Sequence, residues 1–180
     1  MVDTSDALCA YDSKTIRLHW ITAALTVALW CLGKTIDWFP PGVGRIPARS
    51  VHICVGAVLG LVLCYRIVWR WRRGRHLPPA SSGAAQLLAT FTHYALYFLL
   101  IGAIALGIAN VWVRGDSLFG LMSIPQFDPG NKPLQMQVAK LHYLFANTLL
   151  IVAGVHAMAA LAHHLLCKDR VLQRMMPKRS

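Results

Sequence analysis

Four stretches of the chain carry no Asp, Glu, Lys or Arg: residues 18–33, 50–65, 76–113 and 141–167. A hydrocarbon core of about 30 Å is crossed by about 20 mainly apolar residues in a helix, and a chain in lipid must satisfy its backbone hydrogen bonds internally. Four such runs in 180 residues predict an all-α, integral membrane four-helix bundle. The spans are expected near 16–36, 50–69, 86–112 and 138–166, within one domain covering 1–180. The first two runs hold only 16 uncharged residues each, so Lys34, Arg49 and Arg66 are expected to snorkel toward the interfaces. A hydrophobic content of 56% argues against a soluble core of this size. The competing reading of the first run is a signal peptide; it lacks a convincing small-residue cleavage site and three further spans follow, so retention is expected.

The basic residues sort by side. Of 18 Lys and Arg, 12 fall before the first span, around the segment RIVWRWRRGRH, or after the fourth, and 6 fall in the other two connections. The positive-inside rule then puts both termini of this multi-pass protein in the cytoplasm. Nucleic acid is a poor partner for the net charge of +11, because the charge sits at helix ends and no recognition module accompanies it; membrane lipid is the expected contact. On the outer side Lys34, Arg45, Arg49, Arg114, Lys132 and Lys140 face Asp37, Asp116 and Asp128, a formal surplus of three that can steer an anion if the groups converge. Ordinary anchoring produces the same count.

Cys9, Cys31, Cys54, Cys64 and Cys167 form no CxxC or CxxCH pattern, which excludes a redox dithiol and covalent haem attachment as readings of the sequence. They read as small, mostly buried residues, with Cys64 close enough to the bundle centre to touch a cofactor. Pro40, Pro41, Gly42, Gly44 and Pro47 mark the first outer loop; Pro78, Pro79, Ser81, Ser82 and Gly83 mark the inner connection. The second outer loop, near 113–137, is the longest and reads as a lid or a reactant entry.

Histidines carry the chemistry. His19 and His93 sit near the inner starts of the first and third spans, His52 near the outer start of the second, and His142 and His156 within the fourth. Imidazoles placed repeatedly inside a membrane bundle need a partner; interhelical hydrogen bonds are one, haem iron another. His142 and His156 are 14 residues apart, which is roughly 21 Å along a helix and nearly the same face. One helix can thus serve two stacked b haems. Topology places His52 with His142 toward the outer face and His19 with His156 toward the inner, with His93 competing for the place of His19. Six-coordinate haem favours electron transfer over oxygen binding. Arg66 and Arg70, four apart at the inner end of the second span, suit haem propionates or plain anchoring. His163 keeps roughly the face of His156 and suits a quinone oxygen, because imidazole exchanges protons near neutral pH. His164 reads as a wet interfacial residue and His76 as a surface one. Trp30, Trp38, Trp69, Trp71 and Trp112 fall at helix ends as interfacial anchors, and Trp20 is placed to pack near His19.

The segments IRLHW, VHICVG, THYALYFLL, LHYLFANTLLIVAGVHAMAALAHH and KDRVLQRMMPKRS together resemble the bacterial diheme cytochrome b561 family over essentially the whole chain. That resemblance implies two noncovalently bound b haems held by His19 with His156 and by His52 with His142. For the family's superoxide oxidase branch it further implies an oxidoreductase that takes electrons from periplasmic superoxide and gives them to ubiquinone. A second class of function stays open: a haem-bearing membrane anchor or electron-transfer subunit for a protein redox partner. A haem-free structural bundle is the third.

Overall fold

The computed structural model describes residues 10–40, 44–80 and 82–176. Cys9, Pro41, Gly42, Ser81, Lys178 and Arg179, which entered the reading above, lie outside the described residues.

Four long helices dominate: α1 (Ser13–Thr35), α2 (Arg45–Arg72), α3 (Gly83–Arg114) and α4 (Lys132–Ala162). Single short turns extend α1 over Ile36–Trp38 and α4 over His163–Cys167, giving four segments of 26, 28, 32 and 36 residues that are long and apolar enough to cross a membrane. Each observed helix begins or ends several residues beyond the expected limits, because interfacial polar residues prolong it. Asp12 caps α1 by accepting from Thr15 N at 2.9 Å and Thr15 Oγ1 at 2.6 Å. Asn131 caps α4 through Leu134 N at 3.0 Å, with Pro133 in the first turn, where a missing N–H costs nothing. Gly115 ends α3 in the left-handed region (φ 65°), where any Cβ would press on Gln126.

α1 packs along α2 and α3 along α4, while α2 meets α3 and α1 meets α4 more sparsely. Leu29, Leu59, Leu63, Leu100 and Leu149 join the helices at mid-height, backed by Leu25, Val55, Leu96, Tyr97 and Ile104. Gly102 lets α3 approach the Phe145 ring on α4, where a Cβ would collide. Large apolar side chains such as Leu61, Leu87, Phe98, Ile108, Ile151 and Val155 point outward. In water that pattern would drive aggregation; in lipid it is the solvated surface, and van der Waals fit between helices takes over the cohesive role. The protein is therefore a multi-pass membrane helical bundle.

One expectation is corrected. Cys31, Cys54, Cys64 and Cys167 are exposed on the helix surfaces rather than packed inside. The thiol is a small, weakly polar group, and an apolar outward face accepts it as readily as a core does.

The two ends are closed differently. At the end carrying the connections 36–44 and 115–131, a two-stranded hairpin, β1 (Ser117–Leu118) with β2 (Met122–Ser123), folds over α2. Ser50, fully buried, donates to Ile46 O at 2.8 Å and accepts from Phe119 N at 2.8 Å. Asp116, also buried, meets Arg49 at 2.5 Å and Arg114 at 3.9 Å. At the opposite end, which bears both chain termini, Asp12 also accepts from Trp69 Nε1 and from Arg75 N, each at 3.1 Å, tying the start of α1 to the end of α2. Trp20 Nε1 donates to Met175 O at 2.8 Å, bringing the tail back beneath the bundle.

Candidate haem and quinone sites

The histidines fall at two levels, separated by the leucine layer. At the hairpin end, His52 on α2 and His142 on α4 face each other with ring centroids 6.2 Å apart and planes at 87°. Paired imidazoles are a donor set that would hold one haem iron. His142 Nδ1 lies 2.9 Å from Ala103 O; a carbonyl only accepts, so Nδ1 carries the proton and Nε2 keeps its lone pair. His52 Nδ1 is buried without a hydrogen-bond partner, the Leu29 carbonyl on α1 falling short of bonding geometry. Gly33 and Gly107 flank the two rings, and a Cβ there would sit 3.3 Å from His52 Cε1 and 3.2 Å from His142 Cε1. Glycines thus leave room for both imidazoles to hold their orientation. Asn110 Oδ1 and Gln135 Nε2 are the other buried polar atoms without partners among the described residues, and both belong to this half of α3 and α4. Such atoms are expensive in a dry interior unless a further polar group meets them. The donor set at this level fits a bis-histidine haem.

The terminal end is more crowded. His156 on α4 and His93 on α3 have centroids 5.2 Å apart at 74°, about 1 Å closer than the His52–His142 pair. His93 Nδ1 lies 2.6 Å from Ala89 O, which fixes its tautomer with Nε2 unprotonated. His19 on α1 shares the level, within electrostatic reach of His156 and His93, and its Nδ1 is 3.3 Å from Arg66 Nη2. A guanidinium only donates, so as long as that contact persists His19 Nδ1 is the acceptor and Nε2 carries the proton in the neutral ring. Binding iron through His19 Nε2 requires Arg66 to turn away and Nδ1 to take up the proton. The competition between His19 and His93 noted in the sequence is thus present in space.

Arg70, four residues beyond Arg66, does not join this level: Nη1 donates to Arg75 O at 2.8 Å and the guanidinium stacks on Tyr11 at 4.8 Å. Trp20 packs edge-on against His19, centroids 5.5 Å apart. Below them His163 Nδ1 meets Asp169 Oδ2 at 2.5 Å, a contact the sequence reading missed although the HxxxxxD spacing was there to find. The bond to His163 is the foremost of the influences that hold the Asp169 carboxyl below its usual range. His164 is half-buried and His76 exposed. At the other end Lys34 Nζ meets Tyr143 OH at 2.7 Å, and Trp30 donates to Asn147 Oδ1 at 3.0 Å; Trp30 thus cross-links α1 to α4 as well as marking a helix end.

The sequence comparisons agree with one another. The family described as prokaryotic cytochrome b561 matches residues 10–178. A probable superoxide oxidase CybB of Yersinia pestis is 31% identical over 172 residues, covering 94% of this chain and 97% of that one. Cytochrome b561 homolog 1 of Escherichia coli K12 is 29% identical, covering 93% and 97%, and a cytochrome b562 of Cereibacter sphaeroides is 29% identical, covering 94% and 96%. With four membrane-length helices, histidines at two levels and a match along nearly its full length, the chain belongs to the prokaryotic cytochrome b561 family of membrane electron-transfer proteins that carry b-type haem.

Proposed function

We propose that this protein is a superoxide:ubiquinone oxidoreductase of the inner membrane, with both termini cytoplasmic and superoxide oxidised at the periplasmic, hairpin end. Two noncovalent b haems are held by His52 with His142 and by His19 with His156, and when bound they supply reversible one-electron chemistry. Arg66 is placed to receive a propionate once it leaves His19; Arg70 braces the terminal end instead. The observation that carries the proposal is the pair of histidine levels in one bundle with opposite chemical surroundings at its two ends. The similarity to a probable superoxide oxidase supports the choice of donor.

Two superoxide ions lose one electron each and leave as oxygen; one ubiquinone gains two electrons and two protons and leaves as quinol. The hairpin end has no need of a proton donor, because superoxide oxidation releases no proton and consumes none. It needs a positive potential, and Arg45, Arg49 and Arg114 supply one, tempered by Asp37 and Asp116. The quinone end must deliver protons. His163, hydrogen-bonded to Asp169 at the membrane edge, is the group proposed to do so, with Asp169 orienting the ring.

Rapid mixing of the purified, haem-loaded protein with superoxide is the test. Haem reduction within the mixing experiment, in the absence of any other protein, is the expected result. No haem reduction by superoxide, with ready reduction by a protein donor, would assign the chain instead to the class of electron-transfer or membrane-anchor subunits.

A further inference from the structure

The segment after α4 gathers three metal-ligating groups: the His163–Asp169 pair proposed above for proton delivery, and Cys167, which that chemistry does not use. His163–Cys167 forms a widened helical turn, and Lys168 then reverses the chain in the left-handed region at φ 52°. The reversal is closed by Asp169 N donating to His163 O at 3.2 Å. As a result one donor atom each of His163, Cys167 and Asp169 lies within 4.8 Å of the others. Asp169 is held in place from its far side, since Oδ1 accepts from Val171 N at 3.1 Å while Oδ2 faces His163.

From this geometry we infer that His163, Cys167 and Asp169 form a Zn2+ site at the inner membrane edge. The donor types suit a borderline ion: imidazole, thiolate and carboxylate are the three protein ligands zinc takes, and three of them leave the fourth tetrahedral position to water. Zinc bonds of about 2.0–2.3 Å place tetrahedral donors about 3.3–3.8 Å apart. The observed separations, from 2.5 Å for His163–Asp169 up to 4.8 Å across the cluster, bracket that range. Charge closes: the Cys167 thiol gives up its proton to solvent, and the thiolate and carboxylate neutralise the dication. Arg174 lies within electrostatic reach of Asp169, which weakens binding of the bare cation; its guanidinium is turned toward Pro78 O at 2.8 Å. Cys167 is exposed, so the ion has an entry path. Cys31, Cys54 and Cys64 belong to α1 and α2, away from this edge.

The site stands on its own ligands; its effect on turnover rests on the function proposed above. Zinc on His163 removes the imidazole from proton exchange with the quinone, so it slows quinone reduction while leaving superoxide-driven haem reduction unchanged.

The experiment is equilibrium dialysis of the haem-loaded protein against zinc chloride, with bound metal counted and its coordination read at the zinc absorption edge. The expected result is one zinc per chain with one sulfur ligand. Cys167→Ser should lose the sulfur shell and bind about a hundredfold more weakly, whereas Cys167→His, which restores a nitrogen donor, should regain most of the affinity; haem spectra confirm that each variant is folded. Zinc that shows no sulfur, or that binds wild type and Cys167→Ser alike, overturns the site. A second measurement, quinone reduction with and without zinc, separates the two claims. Zinc bound through sulfur in a protein that never reduces quinone retains the site and removes the function, while quinone reduction without zinc–sulfur binding does the reverse.

Discussion

The two ends of the bundle hold histidines at similar depth yet are built on different principles. At the hairpin end one His52–His142 pair faces across 6.2 Å, with a proton fixed on His142 by Ala103 and two glycines making room. At the terminal end three histidines and an arginine crowd one level, and a fourth histidine with its carboxylate lies just beyond. The first arrangement holds its two rings in fixed orientations. The second packs donors and acceptors side by side, as the proposed coupling of electrons to quinone protonation requires.

The largest effect expected from breaking this contrast is at the ordered end. His142→Leu or His52→Leu should remove one of two haems, halving the pyridine haemochrome value per protein, and should abolish superoxide-driven quinone reduction. Retention of both haems in each variant would show that the hairpin-end pair is not a ligand pair.

The terminal end should respond less simply. His19→Leu is expected to remove the second haem, while His93→Leu is expected to keep it with a shifted spectrum, because His93 neighbours His156 without ligating. Reversal of these outcomes in low-temperature spectra would exchange the roles of His19 and His93. Arg66→Leu removes the guanidinium proposed to meet a propionate and should weaken retention of the inner haem, read as a lower haemochrome value per protein.

Next in size is the pair proposed to deliver protons. His163→Ala and Asp169→Asn should each lower quinone reduction by about tenfold to a hundredfold, with haem content and superoxide-driven haem reduction unchanged. Equal losses in both half-reactions would place the defect in folding instead.

Much of this was legible in the chain. Uncharged runs and their flanking Arg and Lys located four helices because lipid admits almost no other backbone, and the spacing of His142 and His156 gave two levels directly. What stayed hidden depended on side chains meeting from distant segments. Nothing local announces that Ser50 would lock the hairpin through Phe119, that Asp12 would join α1 to Trp69 and Arg75, or that Arg66 would turn toward His19. The outward placement of the cysteines was missed for another reason: a membrane bundle has two apolar environments, and periodicity alone does not separate lipid from interior.

A smaller effect separates the closures of the two ends. Asp12 is partly desolvated, which raises its pKa, but the hydrogen bonds from Thr15, Arg75 and Trp69 win and bring it down to about 2. A depressed carboxyl contributes its stability fully above the unfolded value of about 3.9 and loses it as pH falls toward about 2. The terminal clamp should therefore be insensitive to pH from 5 to 8, by roughly the margin those two values set, and should loosen only below about pH 4. Asp12→Ala should cost about 1 kcal/mol as a lost cap, read as a lower midpoint of thermal unfolding in detergent. Arg49→Ala, which leaves the buried Asp116 with only the more distant Arg114, should cost more, about 3 kcal/mol.

The smallest expected effect is electrostatic. Raising ionic strength should slow the second-order encounter with superoxide several-fold while leaving transfer within the protein unchanged, and Arg114→Gln or Lys132→Gln should reduce the encounter rate and its salt dependence together. A salt-independent encounter would remove steering from the account.

The most direct test of the central claim is the coupled stoichiometry in purified protein, with superoxide loss and quinol formation followed together in the presence of a soluble ubiquinone analogue. The account predicts two superoxide ions consumed for each quinol formed, in wild type and not in His142→Leu; quinol formation that does not track superoxide loss, or superoxide loss with no quinol, would contradict it.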